Sequence, residues 1–216
     1  EAALLQFGAK KVELIRNNYQ VWRLISAFVL TNGILHLVLI IMWQLQVSFR
    51  LERVWACYRM APIYLLSGIG GNLLSAVFLP DTVSVGPTSC ITGLQGAVLA
   101  DILINWVVLP NPWKPLVSIL LQMIAFLLLG LIPFIDNFAN IGGMFTGFFS
   151  ALLLLPHLNP KVKRLVPLIL RLFAIVILVI YFAGLFVVLF LFPNFACVPC
   201  YYVNPTWDML FNDADK

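Results

Sequence analysis

The chain has 216 residues, 62% of them apolar and only 10% charged, and its mean hydropathy is +1.00. Soluble domains carry about a quarter charged residues, so this composition excludes an ordinary soluble domain and leaves a membrane protein. The formal charge of +4 comes with no basic stripe interleaved with aromatics, which excludes nucleic acid as a partner, and no cofactor is expected.

In chain order, residues 1–23 mix Leu4, Leu5, Phe7, Val12, Leu14 and Ile15 with Lys and Arg. That pattern suits an amphipathic stretch at the membrane interface better than a spanning helix. Crossing a hydrocarbon core of about 30 Å takes about 20 apolar residues. Runs of that kind occupy 24–46, 61–79, 89–109, 115–134, 138–156 and 165–193, the last long enough to tilt or to project beyond the bilayer. The expected plan is therefore an interfacial loop over 1–23, an all-α polytopic membrane domain of six helices over 24–193, and a tail over 194–216. The sequence opens on Glu1 with neither an initiating Met nor a signal peptide, so a further membrane helix is expected to precede it.

Lys and Arg collect in alternate loops. Arg50, Arg53, Arg59, Lys114, Lys161, Lys163 and Arg164 fall on one side with Glu52, whereas Asp81, Asp136, Asp208, Asp213 and Asp215 fall on the other. Basic loops mark the cytosolic or matrix face, which places the tail across the membrane. Lys10, Lys11, Arg16 and Arg23 work against this orientation without reversing it. The expected compartment is the endoplasmic reticulum or secretory pathway, with the mitochondrial inner membrane as the alternative. Cys197 and Cys200 form a single CVPC in the tail, a weak pattern for zinc, and no metal site is expected. In an oxidising lumen they can bond to each other or to a cysteine outside this chain. Within the spans, Asp101 is expected to make a structural hydrogen bond to Asn72, Gln122 or a backbone amide, and Arg171 to snorkel to the interface.

Six ordered blocks then carry a resemblance. FGAK and YQVWRLISAFVLTNGILHL, with the Trp22-Arg23 pair, are similar to the first loop and second membrane helix of the rhomboid superfamily of intramembrane serine proteases and their inactive relatives. RLERVWACYRM and YLLSGIGGNLLSAVFLP resemble its next loop and helix, SVGPTSCITGLQGA its serine motif and IDNFANIGGMFTG its histidine helix. The resemblance implies a rhomboid-like bundle in which a small-residue face of Gly143 and Gly147 packs on Gly93 and Gly96, and such faces let membrane helices approach closely.

The resemblance also locates the chemistry. The nucleophile position is Thr88, followed by Ser89 where the family usually has glycine, and the histidine position is Asn140. An Asn amide does not titrate usefully near pH 7 and cannot serve as the base. His36 matches the oxyanion histidine, but Ile40 stands where an asparagine is expected and Thr31 where a second histidine is expected; His157 lies beyond the far end of its helix. Thr88 or Ser89 is read as capping the helix that follows Pro87. The Gly-Pro start of the motif also resembles the inactive rhomboids called iRhoms, although those keep the histidine that Asn140 replaces here. These residues imply a rhomboid pseudoprotease that binds membrane-spanning clients or partner subunits and governs their trafficking, degradation or assembly. The alternatives are an active intramembrane protease with an atypical nucleophile and a purely structural subunit of a membrane complex.

Overall fold

Helices form wherever apolar residues run unbroken and stop where the backbone is forced out of the helical region. The protein, as a computed structural model, is described over residues 2–31, 33–130, 135–160, 162–163 and 165–192. Among these residues three short helices, α1 (Ala2–Phe7), α2 (Val12–Asn17) and α3 (Arg23–Ser26), precede six longer ones: α4 (Ile34–Trp55), α5 (Cys57–Phe78), α6 (Thr88–Ile104), α7 (Trp113–Leu129), α8 (Asn137–Leu154) and α9 (Leu165–Leu191). By length and composition α5, α8 and α9 are long and apolar enough to cross a membrane, while α6, α7 and residues 36–45 of α4 are shorter apolar stretches.

The first long helix departs from the expected run at 24–46. Residues 24–31 are held elsewhere: Leu24 O accepts Asn72 Nδ2 (2.8 Å), Ser26 Oγ donates to Gly8 O (2.7 Å) and Ala27 O accepts Gly86 N (2.9 Å). Gly33, at φ +93°, then sets the start of α4, which runs on to Trp55 before Ala56 turns the corner at φ +62°. The 50–59 segment is accordingly a helix, a one-residue corner and a second helix rather than an open loop.

The packing centre is the trio α5, α6 and α8, with α6 against α8 the most intimate pair. One cluster, formed by Trp55, Ile63, Leu94, Ala97, Ala151, Leu155 and Ala174, closes the end of the bundle near the basic loops. A second, of Val12, Ile15, Leu24, Leu73, Val77 and Leu189, fastens the N-terminal segment to the other end. Ile40, Ile91, Phe126 and Met144 bring α4 and α7 to the centre. Because lipid is as apolar as these side chains, the gain within the bilayer comes from close packing more than from escape from water.

At the basic end Asp101 accepts Trp55 Nε1 (3.2 Å) and Asn105 Nδ2 (2.8 Å), not Asn72 or Gln122. Asn105 Oδ1 in turn accepts Leu158 N (2.7 Å). The intramembrane acid is thus a structural tie between the ends of α4, α6 and α8.

Candidate functional site

Gly86, Pro87 and Thr88 lead into α6. Gly86 adopts φ +130°, a conformation that side chains disfavour, and a Cβ there would lie 2.9 Å from His36 Cε1. Glycine is needed both for the turn and for the approach of the imidazole from α4. Pro87 occupies the N-cap and its carbonyl accepts Ile91 N (3.0 Å), but no side chain caps α6. The expectation that Thr88 or Ser89 would cap it fails because the bend at Pro87 puts both residues inside the first turn.

His36 and Thr88 border one small cavity together with Asn72, Ser84, Gly86 and Asp136. Its volume is about 10 Å³, room for a single water. Ser89 and Asn140 are fully buried. Ser89 faces α5, where a Cβ on Gly71 would come within 2.5 Å of Ser89 Cβ, and its Oγ has no partner. Both amide atoms of Asn140 are likewise buried without a partner. Thr92, which the motif reading passes over, joins the two positions: its Oγ1 reaches Thr88 O (3.0 Å) on its own helix and Asn140 O (3.1 Å) on α8. A threonine bonding back one turn, on the same stretch as Gly93 and Gly96, is the signal that could have found it.

The small residues bring these backbones together. A Cβ on Gly143 would collide with Ser89 O, on Gly147 with Gly93 O, on Gly96 with Met144 O, and on Gly93 with the Ser67 side chain. His157 lies beyond α8, beside Pro156, remote from Thr88 at the opposite end of α6. Among the described residues no three His, Cys, Asp or Glu side chains gather to hold a metal. Cys197 and Cys200 lie outside the described residues; Cys57 is exposed and Cys90 buried, both as free thiols.

A buried ion pair borders the same region. Lys10, fully buried, sets its Nζ 3.3 Å from Asp136 Oδ2, and Ser75 Oγ donates to that oxygen while accepting from Lys10. Asp136 Oδ1 caps α8 through Ala139 N (3.0 Å), and Lys10 N bonds Ser84 O (3.1 Å) ahead of α6. Burial pushes the Lys10 ammonium below its ordinary value, against the pull of Asp136. Lys10 therefore fixes the starts of both helices that carry the site. Arg23 is buried as well, donating to Leu5 O (2.9 Å) and Ala9 O (3.0 Å). These two cations answer to internal partners, not to the membrane field.

The sequence matches the Rhomboid domain over residues 18–157, from the loop ahead of α3 to the segment just past α8. The chain belongs to the rhomboid family. It is an integral membrane protein of helical-bundle type. Relatives on this rhomboid frame include RHOMBOID-like protein 7 of Arabidopsis thaliana, 40% identical over 72% of this chain and 50% of its own length. RHOMBOID-like protein 6, mitochondrial, of the same plant is 39% identical over 71% of the chain and 50% of its own. Inactive rhomboid protein 1 of Danio rerio is 35% identical over 81% of the chain and 20% of its own. The chain thus spans half or less of the length of these rhomboid relatives.

Proposed function

We propose that this rhomboid is catalytically inactive and recognises membrane-spanning proteins laterally, governing their trafficking, degradation or assembly. The observation that carries the reading is the pair Thr88 and Asn140. The position from which a base would act holds a neutral amide, sealed from solvent and unable to take a proton. Without a base the hydroxyl keeps little of its nucleophilic advantage.

A one-water cavity leaves no room for a peptide, so recognition falls to the membrane face. There α4 offers Ile34, Leu37, Val38, Ile41, Met42 and Leu45 to lipid. It is joined to α7 by the edge-on contact of Trp43 with Phe126 (4.7 Å) and to α5 by Gln44 Nε2 donating to Tyr64 Oη (2.5 Å). Polar donors behind an apolar face suit a client helix with unsatisfied carbonyls.

One observation favours a second reading, an atypical protease: Thr88, His36 and Asp136 share the cavity. Against it, Lys10, Ser75 and Ala139 N already take three of the roughly four lone-pair sites of the Asp136 carboxylate. A serine-directed fluorophosphonate decides between the two. No adduct is expected; an adduct that disappears in Thr88→Ala and His36→Ala would establish the protease. Recognition is tested with photocrosslinkers at Met42 and at Val179, which is exposed on α9. Capture of a membrane-spanning protein from Met42 alone is expected, and equal capture from both would overturn lateral recognition through α4.

A further inference from the structure

The end of the bundle beneath the basic loops holds a second cleft, far from Thr88. It measures about 460 Å³ and is lined by Pro156, His157, Pro167, Leu168 and Arg171. One wall is the segment after α8, the other the first turns of α9.

The first wall is built rigidly. Asn105 holds Leu158 N (2.7 Å) and Pro156 O (3.4 Å) on either side of His157, and Asp101, itself bonded to Trp55, holds Asn105 (2.8 Å). His157 Nε2 is buried with no hydrogen-bond partner. Burial, and behind it the positive charge of Arg171, pushes the imidazole below its usual value. Arg171 and the His157 imidazole border the cleft from opposite walls, and neither Lys10–Asp136 nor Lys11–Glu13 reaches Arg171.

Depth and surroundings narrow the ligand. Arg171 lies about 9 Å along α9 from its first residue, within reach of the interface for a side chain that snorkels. Tyr58, Trp113 and Lys114, all exposed, stand at the same end, the composition of an interfacial belt. Below the cleft, Leu172 and Ile175 continue the exposed apolar strip that Leu168 begins at its wall. A guanidinium without a counter-ion at this depth is costly, and a phosphate diester with two acyl chains meets both halves of the site.

We propose that the cleft between Pro156–His157 and Pro167–Arg171 binds the headgroup of an anionic phospholipid, with Arg171 on the phosphate, His157 Nε2 beside it and the acyl chains along Leu172 and Ile175. The site is independent of the client reading and stands whether or not Thr88 is catalytic.

Native mass spectrometry of the full chain, loaded with phosphatidylserine or phosphatidylcholine, tests it. Wild type is expected to retain phosphatidylserine preferentially. Arg171→Gln should lower that retention roughly tenfold, as the loss of a charge-assisted hydrogen bond implies, while Lys163→Gln changes it little. Leu168→Trp fills the cleft, keeps Arg171 and His157 and should also lower retention, so the test survives a poorly folding Arg171 variant. Unchanged retention in Arg171→Gln and Leu168→Trp overturns the site, and an equal fall in Lys163→Gln shows only diffuse surface charge. Displacement by glycerol phosphate at the lipid's own concentration would assign the cleft to a soluble phosphate and overturn the lipid assignment.

Discussion

Lys10 is the residue on which most of the local geometry converges. A buried lysine is costly unless its charge is partnered, and here Asp136 and Ser75 supply the partners. Removing one member leaves a charge buried without compensation. Lys10→Met is expected to destabilise the protein by about 3 kcal/mol, and Asp136→Asn, which keeps a cap acceptor for Ala139 N, by somewhat less. Their effects should not add: chemical unfolding of the double variant is expected to reveal a coupling of about 1 kcal/mol or more. Strict additivity would mean that the two side chains do not act as a pair. Asn140 is the opposite case, a buried amide with both ends unpaired, so little is lost when Leu of the same heavy-atom count replaces it. Asn140→Leu should therefore unfold at a midpoint no lower than wild type, and a marked fall would reveal a partner for the amide.

Between elements, the decisive quantity is how closely α6 and α8 approach. Met144 O and Gly93 O occupy the places where side chains on Gly96 and Gly147 would begin. Backbone cannot yield as a side-chain tip can, so overpacking there separates the helices. Gly147→Ala is expected to cost about 2 kcal/mol or more. Gly184, in the second half of α9, has open space where its Cβ would be, and Gly184→Ala should be neutral or stabilising by up to about 1 kcal/mol through helix propensity. The same unfolding assay reads both. Equal losses would show that α6–α8 closeness contributes nothing special.

Across the whole molecule, α9 ties the two ends together: Ala174 packs with Ala151 and Leu155 at one, and Leu189 with Val12 and Ile15 at the other. Tyr181 Oη bonds Gly70 O (3.0 Å) midway. The basic residues at one end and Asp81 at the other imply opposite compartments by the positive-inside rule. In sealed vesicles, with Cys57, Cys197 and Cys200 replaced by serine, Lys163→Cys and Asp81→Cys should label from opposite sides. Labelling from the same side would overturn the orientation.

The class of the molecule, its helical content and its family were legible in the sequence, because unbroken apolar runs permit little but helices in lipid and the quoted blocks keep their order. The ends of the first run were not, since Gly33 and Ala56 act through φ angles that hydropathy does not register. The positions of Thr88, Asn140, Gly143 and Gly147 could be assigned by motif, yet motif could not say that Ser89 and Asn140 are sealed or that the cavity holds one water. Those facts depend on how far α5, α6 and α8 interpenetrate. Lys10 illustrates the limit most directly. In the sequence it is one more loop charge, 126 residues from Asp136; only the folding of the N-terminal segment onto α5 and α8 removes it from water and pairs it, because a buried ammonium is tolerated where a carboxylate and a hydroxyl already wait.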